Sequence, residues 1–313
     1  MALKPKALRR GDRIALAAPS GSLKESAQAD AAAAMLRRMG FEVVEGRCCR
    51  ETYGYLAGSD AMRAAELNSF FADPTVAGIV CLKGGYGTPR ILDALDYGAI
   101  RSNPKVFVGY SDITGIHLAL HKMCGMVTFH GPMARSDALL DEESFSVRSW
   151  MAALTSTSAL GVLDAPEGAA PLERLVGGMA RGPIVGGNLS LVAALAGTPY
   201  ALDARGKILF FEDINEAPYR VDRMLTQLRL AGAFDACAGV LLGDWNACVP
   251  EEGKKSLGLA DIFRDVIAPS GKPVLLGFRA GHCSPAITIP LGVEAELDAD
   301  AGKVEIVESA AKA

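Results

Sequence analysis

"VFVGYSDITGIHLAL", residues 106–120, is the stretch on which the reading of the chain turns. Val106-Phe107-Val108 has the apolar, β-prone composition of a buried strand, and the residues from Ile113 onward are compatible with a helix. Only Gly109-Tyr110-Ser111-Asp112 stands between them, with almost no loop. A strand that passes so directly into a helix is the building unit of a parallel sheet covered by helices. The junction also has chemical consequences. It lifts a serine hydroxyl at the C-terminal edge of the sheet and sets it at a helix N-terminus, where unpaired N–H groups and the helix dipole favour negative charge. A glycine stands two residues before Ser111, but Ile113 stands two after it, so the α/β-hydrolase elbow pattern is only half present. The competing reading is that Ser111 or Asp112 caps the next helix.

Outward from this turn the first half keeps alternating. Strands are expected at 13–19, 41–46, 76–82, 105–109 and 126–132, and helices at 24–39, 59–74, 90–100, 113–124 and 144–154. The class is therefore α/β, with a mostly parallel N-terminal sheet and helices on both faces. Residues 155–187 are rich in Ser, Thr, Gly, Ala and Pro. The expected division is an α/β domain over 1–155 carrying the candidate nucleophile, a linker over 156–187, and a β-rich α+β domain over 188–313. In the last of these, strands are expected at 207–213, 238–245 and 273–278, with helices at 217–234 and about 259–268. The tail "AITIPLGVEAELDADAGKVEIVES" alternates like an antiparallel hairpin, with Asp300-Ala301-Gly302 at its turn.

Composition narrows the partners. Half of the 313 residues are hydrophobic, 22% are charged and the net charge is −4, which suits a large core and argues against nucleic acid. No apolar stretch reaches the ~20 residues of a membrane span. The patch Ile14–Ala18 before Pro19 is shorter than the roughly 7–15 residues of a secretory h-region, and reads better as a first buried strand. Seven irregularly spaced cysteines, with no C-x-x-C, read as reduced thiols in a cytosolic protein.

A second glycine cluster, "CLKGGYGTPR" (81–90), follows the preceding strand and belongs at the same sheet edge. Its functional reading is an oxyanion donor, the N–H of Gly85. A dinucleotide site is the rival, but only two glycines of G-x-G-x-x-G are present, and on the third βα turn rather than the first. Four histidines compete for the part of base. His117 and His121 stand i, i+4 without a third metal ligand, and His130 follows a strand in "TFHGPM". His282, in "GFRAGHCSPA", follows a buried strand in a loop of small residues and is the best candidate. Glu212, Asp213 and Asp112 are all open as the carboxylate that would orient it. Cys283 beside His282 suggests a dyad, but adjacent loop residues point apart. Tyr86, Arg90 and His130 are candidate substrate contacts. Arg90, Arg135, Arg181 and Arg279 are the arginines placed to meet a substrate carboxylate, and spacing does not rank them.

Taken together, "KGGYG", "GYSDIT", "GGNLSLVAALAGTPY", "FFEDINEAPYRVDRMLTQL" and "GFRAGHC" resemble the LD-carboxypeptidase family of serine peptidases, which also holds the microcin C immunity hydrolases. The resemblance runs from about residue 12 to residue 307. It implies an α/β N-terminal domain and a β-rich C-terminal domain sharing a triad: Ser111 as nucleophile, His282 as base and Glu212 as its orienting carboxylate, with the N–H groups of Gly85 and Asp112 as oxyanion hole. It further implies a cytoplasmic enzyme, commonly a homodimer, with no cofactor, no metal, no nucleic acid and no membrane. Its substrate would be murein tetrapeptide, from which terminal D-alanine is released. Hydrolysis of acyl-adenylate peptides, with Trp245 as adenine platform, is the alternative within the family. A non-catalytic α/β binding protein is the alternative outside it.

Overall fold

The computed structural model describes residues 2–313. Through the first half, β1 (Arg13–Ala17), α1 (Ala27–Arg38), β2 (Glu42–Glu45), α2 (Asp60–Ala72), β3 (Gly78–Cys81), α3 (Tyr97–Ser102), β4 (Val106–Gly109), α4 (Thr114–Cys124), β5 (Thr128–His130) and α5 (Phe145–Thr155) follow one another. The second half runs β6 (Ala159–Val162), β7 (Glu173–Val176), β8 (Met179–Asn188), α6 (Leu189–Ala194), β9 (Ile208–Ile214), α7 (Pro218–Leu230), α8 (Ala233–Ala236), β10 (Gly239–Asn246), α9 (Leu259–Val266), β11 (Val274–Leu276), β12 (Ile289–Leu291), β13 (Glu294–Asp298) and β14 (Lys303–Ser309). The helix expected over 90–100 divides. A 3-10 turn at Thr88–Ala94 opens with Pro89, and Asp96 then starts α3 afresh by accepting a 2.9 Å hydrogen bond from Ala99 N–H.

The first sheet has the order β12-β5-β4-β3-β1-β2. β1 to β5 are parallel, so all their C-terminal ends, and the loops that follow them, meet at one edge. The second sheet, β6-β14-β13-β8-β9-β10-β11-β7, is mixed. Its centre, β8-β9-β10-β11, is parallel and joined through α6, α7 and α9, while antiparallel strands form its margins.

Two expectations need correction. Residues 156–187 are not a linker, because β6, β7 and most of β8 lie within them. β6 and β7 are four-residue strands with no buried residue, and β8 starts exposed and carries Gly182, Gly186 and Gly187, so no continuous apolar run marks them. The tail does not form one hairpin throughout. β13 and β14 pair as expected around Asp300-Ala301-Gly302, but β12 crosses to the first sheet and pairs antiparallel with β5, Ile289 opposite His130. Pro290 is tolerated there because β12 is an edge strand.

This crossing joins the halves. One apolar cluster runs without a break from Leu16, Val80 and Val108 through Phe129 and Ile289 to Phe210 and Leu241. Each such fully buried side chain contributes about 1.5–3 kcal/mol relative to exposure. Among the described residues no helix is long and apolar enough to cross a membrane. If β12 is an integral strand of the first sheet, Ile289→Ala should cost about 2–5 kcal/mol in chemical denaturation. A cost well under 1 kcal/mol would mean that the strand is only loosely attached.

Candidate functional site

Ser111 sits directly after β4 with φ +63°, a left-handed conformation rare outside glycine. Holding it there costs on the order of 1–3 kcal/mol, so the surroundings must impose it. Asp112 does so. Its buried Oδ2 accepts hydrogen bonds from Ser20 Oγ at 2.6 Å and from Thr88 N–H at 2.9 Å, and its carbonyl accepts one from the Thr88 hydroxyl. Ser20 follows β1 and Thr88 follows β3, so one carboxylate ties the loops of three strands. The glycine loop comes in close: a β-carbon on Gly84 would lie 2.9 Å from Ser111 Cβ, 3.0 Å from its Oγ and 3.4 Å from the Asp112 nitrogen. Gly85 follows with φ +127°, which the absence of a side chain permits. Ser111 Oγ itself makes no hydrogen bond to the described residues.

Glu212 lies in the buried part of β9, between β8 and β10, and is fully buried. Its Oε2 lies 2.6 Å from Nδ1 of His282, which stands in the loop after β11. Gly281 makes that approach possible: with φ +108°, a β-carbon on it would lie 2.6 Å from Glu212 Oε2. Asn246 Nδ2 donates to the carbonyl of His282 at 2.8 Å and fixes the loop from the other side. The imidazole stacks obliquely on Tyr110, ring centres 4.8 Å apart, which brings it alongside the residue preceding Ser111. Burial alone would push the His282 pKa down. The hydrogen bond and charge of Glu212, with smaller contributions from Asp213 and Asp244, outweigh it and leave it raised. Burial raises the Glu212 carboxyl, opposed by His282.

The other candidates separate by position. Asp213 turns away from His282. It accepts from Asn188 Nδ2 at 2.8 Å and from Ser190 N–H at 2.9 Å, at the start of α6. That six-residue helix is too short to show a period in the sequence. Asn188 N–H in turn donates to Thr114 Oγ1 at 2.9 Å, so the network reaches the first turn of α4. His130 is fully buried behind Tyr110, 6.0 Å between ring centres, and so forms the wall behind the site rather than a substrate contact. His117 is buried with Nε2 2.9 Å from the Gly109 carbonyl, and burial lowers its pKa to about 4. Arg90 is held by Asp60 through Nε at 3.0 Å and Nη2 at 2.8 Å. Tyr86 is half exposed and packs edge-on against Tyr55 at 5.7 Å. Burial pushes the Cys283 thiol up to about 12, which disfavours a thiolate. Trp245 is packed on Phe263 at 5.1 Å. The links through Ser20, Thr88, Asn188 and Asn246 had no sequence signature, because each is an ordinary polar residue whose partner is distant in the chain.

A cavity of about 570 Å³ opens beside His282, lined also by Tyr110, Arg135, Ser136, Asn246 and Cys283. Residues 14–131 match the family model described as LD-carboxypeptidase N-terminal domain, and residues 181–297 match that of the LD-carboxypeptidase C-terminal domain. A probable murein peptide carboxypeptidase of Bacillus subtilis is 42% identical over 98% of this chain and 94% of its own length. The solved structure of muramoyltetrapeptide carboxypeptidase from Oxalobacter formigenes matches with a TM-score of 0.80 and 30% identity, over 96% of this chain and 100% of that one. The microcin C7 self-immunity protein MccF, whose curated sequence is from Escherichia coli, has a ligand-free structure that matches with a TM-score of 0.90 and 27% identity, over 99% of this chain and 100% of that one.

The strained turn predicts a separation of stability from chemistry. Ser111→Gly should be about 1 kcal/mol more stable than Ser111→Ala, since glycine alone relieves the left-handed conformation. Equal midpoints in denaturant for the two variants would show that the turn is not strained.

Proposed function

We propose, because the chain belongs to the LD-carboxypeptidase family of serine-type peptidases, that it cleaves the L,D-amide bond that releases terminal D-alanine from murein tetrapeptide in the cytoplasm. The single observation that carries the reading is the buried Glu212–His282 hydrogen bond, 2.6 Å long, delivered by the second sheet against Tyr110 of the Ser111 turn. Glu212 engages Nδ1, so the lone pair resides on Nε2. Nε2 takes the proton of Ser111 Oγ as the oxygen attacks the amide carbonyl. The tetrahedral oxyanion is received by the N–H groups of Gly85 and Asp112. The imidazolium, stabilised by Glu212, then protonates the departing D-alanine amine, and water hydrolyses the acyl-enzyme by the same relay in reverse. A homodimer is the assembly that fits the family resemblance.

The likeness to MccF keeps a second reading, hydrolysis of an acyl-adenylate peptide. Trp245, turned onto Phe263, is poorly placed as an adenine platform and weighs against it. Incubating the protein with both substrate classes separates the readings by which product forms.

In the murein reading, wild type releases D-alanine from tetrapeptide and Ser111→Ala reduces kcat by a factor on the order of 10⁶. Release by the variant at the wild-type rate would remove the serine mechanism.

The pH profile is a second check. His282 acts as a base only when neutral, and its pKa is raised, so the acid limb of kcat/KM should lie above the ordinary imidazole value of about 6.5. In Glu212→Gln burial is less opposed. The limb should move to lower pH while kcat falls on the order of 10⁴-fold. An unmoved limb in that variant would place the titrating group elsewhere.

A further inference from the structure

The carboxypeptidase reading leaves open what recognises the free carboxylate of the substrate, and the structure distinguishes the four candidate arginines. Arg90 is engaged by Asp60. Arg181, on β8, pairs with Glu296 at 3.1 Å and Glu294 at 3.6 Å on β13, away from the Ser111 turn. Arg279 lies 3.6 Å from Asp244 and donates to the Ser284 carbonyl at 3.1 Å. Arg135 alone of the four lines the cavity that holds His282 and Tyr110. Its guanidinium forms no ion pair or hydrogen bond with the described residues.

The anchoring of Arg135 matters as much as its freedom. Ala134 N–H donates to the Cys81 carbonyl and Arg135 N–H to the Leu82 carbonyl, both at 3.0 Å. The backbone of Arg135 is thereby fastened to the end of β3, two residues before Gly84. Lys83 lies between. Its ammonium donates to the Ser22 carbonyl at 2.9 Å and has no carboxylate partner among the described residues. Its pKa is lowered, first by partial burial and then by the nearby charges of Arg135 and Lys24. Neither cation forms an ion pair among the described residues. Asp137, also on the cavity wall, forms no ion pair with Arg135.

We propose that Arg135 is the specificity-determining residue of this site, receiving the free α-carboxylate of the departing D-residue in its guanidinium fork, with Lys83 adding positive charge behind it. A planar fork suits a carboxylate by two parallel hydrogen bonds, and an arginine with no internal partner enters the complex without first breaking one. The arrangement explains exo-specificity: a chain that continues past the cleaved bond has no carboxylate to offer there. The inference rests on the carboxypeptidase reading.

The test compares a lysine-type murein tetrapeptide ending in D-alanine with the same peptide ending in D-alaninamide, so that every other charge is common to both. Release of D-alanine or D-alaninamide is followed by mass spectrometry. Wild type should prefer the acid. Arg135→Gln should lower kcat/KM for the acid by about 10- to 100-fold, and far less for the amide, so the acid-to-amide ratio collapses towards one. Arg135→Lys should fall between, and Lys83→Gln should reduce the ratio more weakly. Partial unfolding lowers both rates together and leaves the ratio alone, so a collapsed ratio reports recognition. A ratio in Arg135→Gln equal to that of an active wild type overturns the inference and leaves the carboxypeptidase reading standing. A wild type indifferent to the amide does the same. A wild type that cleaves neither peptide overturns both.

Discussion

The site depends on one buried carboxylate. Asp112 is nearly inaccessible to water, and a carboxyl group so placed is costly unless it is hydrogen-bonded. Ser20 Oγ and Thr88 N–H both donate to its Oδ2 from the loops after β1 and β3, while Oδ1 has no partner among the described residues. Satisfying Asp112 therefore requires three consecutive crests of the parallel sheet to stand in register. Because Asp112 is next to Ser111 in the chain, that register also imposes the left-handed conformation that raises the Ser111 side chain into the open. The same set of contacts opposes both the strain at the serine and the cost of burying the aspartate.

The second half of the molecule answers this turn from the opposite side. Glu212 reaches His282 because β9 lies at the interior of a sheet whose centre is parallel, so that the ends of β9, β10 and β11 assemble at one edge just as those of β1 to β5 do. The two edges are held face to face. β12 pairs with β5, and Asn188 links Asp213 to Thr114 at the foot of α4. An apolar cluster runs continuously beneath both edges.

Much of this was legible in the sequence, for physical reasons that also mark its limits. Parallel strands buried on both faces, such as Val106–Gly109 and Gly78–Cys81, are continuous apolar runs, and their period and punctuation place them to within a few residues. Margin strands such as Glu173–Val176 have no buried residue, carry charge and merge with loops, which is why a linker was expected where β6 to β8 lie. Choosing between Glu212 and Asp213 was beyond any local rule. Adjacent residues of a strand point to opposite faces, and only the partner chosen by tertiary structure distinguishes them. His130 misled because a polar residue at a strand end suggests a site, whereas β12 and Tyr110 cover it here. The family resemblance named Ser111, Glu212 and His282 together, but it could not indicate which arginine lacks a partner.

The distribution of charge gives the cleft a direction. The charges that bear on the imidazole itself are negative, Glu212, Asp213 and Asp244 all favouring the protonated ring, with Asp244 also paired to Arg279 at 3.6 Å. Beside the glycine loop they are positive, with Arg135 and Lys24 both acting on Lys83. Charges of opposite sign on two sides of a binding site favour one orientation of a polar ligand over the reverse. In the proposed reading, a peptide bound with its scissile carbonyl at Ser111 has its terminal carboxylate towards the cations and its amide nitrogen, which must gain a proton as the bond breaks, towards the imidazole of His282. Orientation and proton delivery would then follow from one asymmetry of charge.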